Sequence, residues 1–535
     1  MQKKTAKKNG ISQVAVSRRN FLKTVALTGG AMALGSVSPR IVFGEMNKYG
    51  GTLKIGVVRG LRTLNPVMHI SGTEWLATQW IYNNLTRLNS KREVIPDLAE
   101  SWVAGDNARV WQFQLRKGVK FHVGREVTAE DVVATIQKVL DPNVSAPYAK
   151  ELGPIEKVEA VGKYAVKFTL ESSYADFPVN MTVPSAKIIA REGLEDFDAL
   201  AAKEYGSGPF KIKEFVPGDH LIVERFDGYY KKGLPYLDQV VEKVFPEAST
   251  EVAALEEGEI DMIWEVPPEL YAKVATTKGV DGLEVTGGTI SNVIMPSDKP
   301  PFDDNRVRDA LKYTVDRNLM LAAVLSNRGE ILPDHPISKA YRFYSPLPER
   351  PRDIDKAKQL LKEAGHSSGL AFKLYAASSP PLREKIAVVL KEMAKPAGFD
   401  IDVEVVGYDR YLSQIWNKGV PYIGFYGTRP TADAILMKLY TKQYGIDEGR
   451  WAESHQEQVA ILEKAREIVD FEARKKLYAQ FCKISQEEGP FIIPFARGEL
   501  SAKKSYVKDY RANPTFYIVD LEETWLSDDA PQKKA

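Results

Sequence analysis

The chain has 535 residues, 44% of them hydrophobic and 27% charged, and its composition is ordinary throughout, without repeats or a low-complexity linker. This length exceeds what one hydrophobic core supports, so two or three domains are expected. Cys482 is the only cysteine, which excludes an internal disulfide and a zinc site built on cysteines.

The amino terminus carries the pattern of an export signal. Residues 17–23 read Ser-Arg-Arg-Asn-Phe-Leu-Lys, and an apolar run follows from Val25 to Val37. This run of about 13 residues is shorter than the roughly 20 that a membrane-spanning helix needs. The pattern predicts a twin-arginine signal peptide over residues 1–44, cleaved near Gly44, with no following cysteine to carry a lipid anchor.

Removing the signal peptide changes the sign of the net charge. Residues 1–44 hold eight Lys or Arg and no acid, so 65 of the 73 basic residues remain against 71 acidic ones, a net charge of −6 with histidine neutral. A mildly acidic chain has no general attraction for nucleic acid or anionic lipid. We therefore expect a soluble protein without a nucleic-acid partner.

The first half of the mature chain alternates strand and helix patterns. Residues 51–58 predict an opening strand, and apolar residues alternate with polar ones over Trp111–Leu115 and Tyr164–Leu170, as in half-buried strands. Thr128 is placed as a helix N-cap, and Asp131, three residues later, is placed to complete a capping box with it. Mixed α and β structure is predicted.

The second half has a strand–helix–strand pattern. Residues 372–376 alternate as a strand, a helix over about 382–395 follows, and Gly398 ends that helix before a strand from Ile401. This order is typical of parallel α/β units. Further helices are predicted over 354–364 and, in two pieces, over 454–488, with strands over 491–494 and within the tail 499–525.

Four segments carry a recognisable pattern, in order along the mature chain: Leu115–Val132, Gly206–Ile212, Pro301–Leu311 and Asp355–Leu361. They resemble the extracytoplasmic solute-binding proteins of ABC importers, of the peptide/nickel-binding type (family 5). Several ordered matches are more specific than one short motif. The resemblance implies an α/β, two-lobed periplasmic binding protein fold of type II, from the large cluster with an extra subdomain in the first lobe and a ligand cleft between the lobes.

The resemblance also implies domain boundaries. The first lobe is expected over residues 45–291 plus 496–535, with an inserted subdomain at about 80–205, and the second lobe over 292–495. Most residues of the four segments suit turns, helix caps and buried helix faces, so they identify the family without locating the pocket.

In this family a loop after the first strand contributes to the pocket, and here it corresponds to residues 69–75. Hydroxyl groups, a glycine that permits close approach and a flat aromatic wall all suit ligand binding. The alternative is a capped helix start with Trp75 in the core, and core burial is equally an alternative for Trp264 near the crossing between lobes. The first-lobe ligand residues implied are His69, Ser71, Gly72, Thr73, Trp75 and Trp264.

A second-lobe loop, Gly424–Asp433, departs from the family pattern. In peptide-binding relatives an aspartate early in this loop pairs with the ligand's α-ammonium group, and its place falls here at Thr428, followed by Arg429. A guanidinium grips a carboxylate with two parallel hydrogen bonds, so the exchange predicts a carboxylated or amphoteric ligand. The alternative pairs Arg429 with Asp433 on a solvated turn. Tyr426 and Asp433 complete this part of the predicted site.

Asp334 and His335 lie where the second lobe of such proteins commonly borders the cleft. Asp334 offers a carboxylate to a ligand ammonium, which would restore recognition of a zwitterion. The alternative for His335, between Asp334 and a proline, is a loop residue satisfied within the chain.

The expected function is the periplasmic substrate-binding component of an ABC transporter. We expect a monomer without a cofactor that delivers a short peptide, an amino-acid conjugate or an opine-like compound to a membrane permease. The alternatives are a nickel or haem carrier of the same family and an exported enzyme. The six histidines are scattered without metal-ligand spacing, and no metalloprotease, serine-hydrolase or dinucleotide motif is found. No catalytic residue and no metal site is predicted.

Overall fold

The structure, a computed structural model, describes residues 47–533 except 59, 379–380, 444–445 and 516. The predicted signal peptide and its cleavage point near Gly44 lie outside the described residues. Within the described part of the chain, every helix is too short or too polar to cross a membrane.

The described residues form the following strands. They are β1 (Thr52–Val57), β2 (Thr86–Leu88), β3 (Val94–Pro96), β4 (Ala99–Gly105), β5 (Val110–Leu115), β6 (Ile155–Ala160), β7 (Ala165–Leu170), β8 (Phe210–Val216), β9 (His220–Arg225), β10 (Gln239–Val244), β11 (Met262–Ile263), β12 (Val280–Ile294), β13 (Gly329–Ile331), β14 (Leu370–Ala377), β15 (Phe399–Val406), β16 (Tyr422–Tyr426), β17 (Phe491–Ile492), β18 (Phe495–Lys504), β19 (Val507–Lys508) and β20 (Trp525–Leu526).

The α-helices of the same residues vary from single turns to five turns. They are α1 (Gly72–Ile81), α2 (Ala129–Leu140), α3 (Phe177–Asn180), α4 (Arg191–Glu195), α5 (Ala248–Glu257), α6 (Pro268–Thr276), α7 (Asn305–Thr314), α8 (Arg317–Leu325), α9 (Ile354–Glu363), α10 (Leu382–Ala394), α11 (Tyr408–Arg410), α12 (Ala432–Tyr440), α13 (Gln456–Glu467) and α14 (Phe471–Glu488).

The predicted elements of the first half are confirmed. β1, β5 and β7 occupy the three segments with strand patterns. At the start of α2 the Asp131 carboxylate accepts hydrogen bonds from the Thr128 backbone N–H at 2.9 Å and from the Thr128 hydroxyl at 2.8 Å. This pair supplies partners at a helix end whose amides have none within the helix.

The strand–helix–strand unit of the second half is also confirmed. β14 and β15 pair in parallel, with α10 between them in the chain. Gly398 has a φ of +99°, which a residue with a side chain rarely adopts, so the chain turns there from the end of α10 into β15. The helices predicted over 354–364 and 454–488 are α9, α13 and α14.

A mixed sheet of 12 strands runs through the described chain in the order β15-β14-β16-β12-β18-β11-β1-β10-β9-β8, with β13 on β18 and β17 on β12. β12 and β18 pair antiparallel from Val280 with Lys504 to Ile290 with Ala496, across an irregularity between Val285 and Thr289. β4, β5, β7 and β6 form a separate antiparallel sheet.

The buried apolar residues separate along the chain. One cluster joins side chains between Leu53 and Met262 to tail residues between Val507 and Ala530. Two others take their members from residues 290–496. We call the regions around these cores the first lobe and the second lobe, and β12 and β18 cross between them. The residue boundaries expected for the lobes remain a prediction.

Candidate functional site

Four residues bring the two lobes together at the candidate site, and we call them the interlobe cluster: Arg92 and Glu151 of the first lobe, Tyr341 and Arg429 of the second. Arg92 Nη2 donates a hydrogen bond to the Arg429 carbonyl, and the Arg92 guanidinium lies over the Tyr341 ring, 4.6 Å from its centre. Arg429 Nη1 is 3.6 Å from Glu151 Oε1, and its backbone N–H donates to the Tyr341 hydroxyl at 3.1 Å.

The loop that carries Arg429 is anchored to the two crossing strands. It follows β16, which pairs with β12. The Thr428 hydroxyl accepts a hydrogen bond from Gly288 N at 3.0 Å, and the Thr289 hydroxyl donates to Glu499 Oε1 at 3.0 Å and lies 3.1 Å from the Thr428 hydroxyl. Thr428 is buried. Its hydroxyl therefore holds the position of the loop that presents Arg429.

Arg92 is the residue of this cluster that sequence reasoning missed. Only 3% of it is exposed, and its Nε and Nη1 have no hydrogen-bond partner among the described residues. Burial lowers the pKa of Arg92. The Ser-Lys-Arg-Glu stretch at 90–93 has the composition of a solvated turn, so nothing in the sequence separates Arg92 from an exposed arginine.

The unpaired guanidinium nitrogens give the cluster its chemical preference. Arg429 Nε, like two nitrogens of Arg92, is buried without a partner among the described residues. A buried donor without an acceptor costs about 1–3 kcal/mol, and more when the group is charged. A carboxylate supplies acceptors and the opposite charge together, so an anion is the group that this arrangement binds best.

Aromatic rings lie beside the charged groups. The Trp75 ring meets the edges of Tyr148, with ring centres 5.4 Å apart, and of Tyr517, 5.5 Å apart. His69 packs against Trp75 at 6.2 Å and is fully buried. Burial lowers the pKa of His69 to about 3, so its ring is neutral. Trp75, Tyr148 and Tyr517 provide flat, mainly apolar surface of the kind that lines ligand pockets.

The rest of the loop at 69–75 forms the capped helix start that was the alternative interpretation. Glu74 N donates to the Ser71 hydroxyl at 3.3 Å, and the Glu74 carboxylate accepts from Ser71 N at 3.0 Å. The Thr73 and Ser71 hydroxyls are 2.9 Å apart, and Gly72 is the first residue of α1. These contacts orient Trp75, and the ligand role of Ser71, Gly72 and Thr73 remains a prediction.

The structure places Asp334 and His335 in the core of the second lobe, contrary to the expectation that they border a cleft. Asp334 is fully buried, with Oδ2 2.5 Å from Arg317 Nη2 and Oδ1 accepting from Ile493 N at 3.1 Å. His335 is 1% exposed, and burial lowers its pKa to about 4. The carboxylate of Asp334 is thus engaged within the chain, because a buried charge needs a partner.

Tyr426 and Asp433 are also engaged inside the second lobe. The Tyr426 hydroxyl donates to the buried Glu448 carboxylate. Asp433 is buried 3.5 Å from Arg466, and burial raises its pKa to about 6. The alternative pairing of Arg429 with Asp433 is therefore wrong, since Arg429 faces Glu151 and Asp433 faces Arg466.

Two cavities are each lined in part by Ile518 of the tail segment. The first, which we call the first-lobe cavity, has a volume of about 660 Å³ that includes open solvent, and Trp75 and Tyr517 contribute to its lining. The second, of about 310 Å³, is lined in part by Trp264 and Glu499. Trp264 thus borders a cavity next to the crossing strands. Among the described residues, no cluster of histidine, cysteine and acidic side chains is suited to hold a metal ion.

The chain matches the sequence profile of a known family. The sequence profile of the bacterial extracellular solute-binding proteins, family 5 Middle, matches residues 93–445, more than half of the chain. The match includes all four motif segments whole and all the second-lobe candidate residues.

Individual proteins are similar over most of the chain. The oligopeptide-binding protein AppA of Bacillus subtilis (strain 168) is 28% identical over 508 residues, 89% of this chain and 92% of that protein. The heme-binding protein A of Haemophilus influenzae is 28% identical over 498 residues, 86% and 90% of the two chains. The solved structure of the PBP AgaA of A. tumefaciens R10 in complex with agropinic acid is 26% identical, covers 89% of this chain and 99% of that one, and has a TM-score of 0.71. The predicted two-lobed α/β fold is confirmed.

Proposed function

Since the chain belongs to the bacterial extracellular solute-binding proteins of family 5, and so is the binding component of an ABC transporter, we propose that its solute is a small carboxylated compound held between the lobes. Short peptides, amino-acid conjugates and opine-like compounds have the required chemistry. The named relatives are binding proteins of transport systems, in accord with a role in capture and release without chemistry.

The observation that carries this proposal is the pair of guanidinium groups in the interlobe cluster. Arg92 and Arg429 come from different lobes, and both have buried nitrogens without an acceptor among the described residues. A solute carboxylate between them would accept from both lobes at once. Ligand binding closes a two-lobed protein only if the closed form is stabilised more than the open form, and contacts shared between lobes exist only in the closed form.

Glu151 affects how Arg429 is held and which charge the solute meets. Its partial burial raises its pKa, and its closest cation is Arg429 at 3.6 Å. We propose that Glu151 holds the Arg429 side chain in place when no solute is bound, and that it faces the ammonium group of an amphoteric solute. Asp334 has no part in the proposed site, because its charge is paired with Arg317.

We further propose export through the twin-arginine pathway, cleavage near Gly44 and action as a monomer in the periplasm. The twin arginines and the short apolar run of the leader support the route. Amino-terminal sequencing of the exported protein would test the cleavage point.

A haem carrier is the second candidate, because one relative is named a heme-binding protein. The absorption spectrum of the purified chain after haem addition separates the two candidates. A Soret shift that survives gel filtration would favour haem, and its absence together with binding of a carboxylated compound would favour the first proposal.

Mass spectrometry of co-purifying compounds, followed by calorimetry with dipeptides, glutathione and agropinic acid, tests the proposed function. Arg429→Ala should weaken the binding of the carboxylated solute by about 1.5–3 kcal/mol, because a charged hydrogen bond is lost. Arg410→Ala is the matched control, since that arginine is 51% exposed and pairs with Glu404. An unchanged dissociation constant for Arg429→Ala would remove Arg429 from the site.

A further inference from the structure

The first-lobe cavity contains a lysine without a partner. Lys187 lines this cavity, is only 6% exposed, and makes no hydrogen bond or ion pair with any of the described residues. A buried ammonium is stable only when something compensates its charge, so an isolated lysine at a cavity wall indicates a place for an anionic group.

Arg87 and Asp97, two other charged groups of the cavity lining, already have partners. Arg87 donates from Nη1 and Nη2 to the two carboxylate oxygens of Glu522, at 2.8 and 3.1 Å. Asp97 accepts from Asn83 Nδ2 at 3.1 Å and from Asn84 N at 2.9 Å. Lys187 is therefore the cation of this wall that can take an outside acceptor without breaking an existing contact.

Asp520 gives the cavity an acidic side. Its side chain is 48% exposed, with Oδ2 3.5 Å from Arg87 Nη1, and Oδ1 accepts from Glu522 N at 3.1 Å. Since Arg87 makes its closer contacts with Glu522, much of the Asp520 carboxylate still faces the cavity. The cavity thus presents one uncommitted ammonium and one partly exposed carboxylate.

We infer that the first-lobe cavity binds an amino-acid group of the solute, with the α-carboxylate on Lys187 and the α-ammonium facing Asp520. This deepens the proposed function and rests on it, because the same solute reaches the interlobe cluster with a second carboxylate. Tyr517 links the first-lobe cavity to the interlobe cluster. It lines the cavity, and the charges of Arg92 and Arg429 act on its hydroxyl group.

One further observation supports this assignment. Burial lowers the pKa of Lys187 to about 8 in spite of the attraction of the Asp97 carboxylate, so the ammonium would gain from a carboxylate that it can reach directly. The inferred solute has an amino-acid group at one end and a carboxylate at the other.

Calorimetry on the full mature chain with glutathione as the probe tests the inference, because glutathione has a glutamate α-ammonium and α-carboxylate at one end and a second carboxylate at the other. Lys187→Met and Asp520→Asn should each weaken glutathione about tenfold or more. Acetylating the α-amino group of the probe should weaken its binding to the wild-type chain similarly. Lys203→Met, at a lysine 64% exposed, is the control and should bind like the wild type.

The outcomes separate the inference from the proposed function. The inference would be overturned if glutathione bound equally well to the wild type, Lys187→Met and Asp520→Asn. It would also be overturned if the wild-type chain did not bind glutathione. If Arg429→Ala alone weakens binding, the interlobe site stands and the cavity assignment falls. If only the cavity variants weaken it, the assignment of the cavity stands and the role of Arg429 falls. Cooperative thermal unfolding of each variant shows that it is folded.

Discussion

At the scale of single residues, the chemistry of the candidate site depends on individual guanidinium nitrogens that have no acceptor among the described residues. Arg92 and Arg429 have buried nitrogens that find no acceptor among the described residues, whereas Asp334, Asp433 and Glu448 are engaged within the second lobe. A carboxylate that faces a buried arginine inside one lobe supports the fold, whereas spare donors where two lobes meet favour an anion.

Arg92→Met should weaken the carboxylated solute by about 1.5–3 kcal/mol, because donors to the carboxylate are lost. Without solute, its free energy of unfolding should be unchanged or higher, since two buried donors without acceptors are removed. Calorimetry and urea unfolding measure the two quantities on the same preparation. A less stable chain with unchanged affinity would make Arg92 a structural residue.

Lys187→Met should stabilise the chain near neutral pH. Lys187 loses its proton near pH 8 in the folded chain, against 10.5 ordinarily, so between these values the unfolded chain binds more protons and the free energy of unfolding of the wild type rises with pH. Below pH 8 the full penalty applies, up to about 3 kcal/mol. The stability advantage of the variant should therefore shrink from pH 8 to pH 10, as measured by urea unfolding. A gap that does not change with pH would contradict the burial of this ammonium.

Part of the candidate site can be predicted from the sequence. Arg429 follows Thr428, which stands in the place of a family aspartate, a signal that needs no structure, and its role in binding stays a prediction. Arg92 was missed because its burial comes from Tyr341, about 250 positions away in the chain, and such contacts leave no local pattern. Asp334 was misplaced for the same reason, since its partner Arg317 and the strand residue Ile493 come together only in the fold.

At the scale of elements, α1 connects the first-lobe loop to the aromatic wall. Its start is capped by Ser71 and Glu74, and one residue later Trp75 projects toward Tyr148 and Tyr517. A fixed helix start therefore sets the position of the wall.

Ser71→Ala should lower the free energy of unfolding by about 1 kcal/mol, since the side chain that accepts the Glu74 amide is lost. Ser71→Asp, which keeps an N-cap acceptor, should retain most of the stability. Urea unfolding measures both variants. Equal stability of Ser71→Ala and the wild type would show that this cap contributes nothing.

Most elements were predictable and their connections were not. Alternating or helical periodicity identified β5, β7, α9 and α10. Each of them buries one face, and one-sided burial produces a periodic pattern of apolar residues in the sequence. The tail was expected to be β-like, but after β18 it forms only the short β19 and β20 and otherwise packs irregularly into the first-lobe core. Its path depends on apolar contacts with distant residues, which local patterns do not reveal.

At the scale of the whole molecule, buried polar contacts join the lobes outside the interlobe cluster. Arg474 of the second lobe donates a hydrogen bond of 2.6 Å from Nη1 to Asp176 Oδ1 of the first, and its Nη2 lies 2.6 Å from Asp176 Oδ2. Ala175 N donates to the Arg466 carbonyl at 2.7 Å. Burying an ion pair requires that both charges lose their hydration, which offsets much of their attraction. These contacts therefore fix the relative orientation of the lobes more than they stabilise the contact between them.

The most direct test of this account is a crystal structure of the mature chain with its bound solute. The account predicts a solute carboxylate between the lobes, with oxygen atoms about 3 Å from nitrogens of both Arg92 and Arg429. A solute bound elsewhere, or one whose uncharged part faces both guanidinium groups, would contradict it.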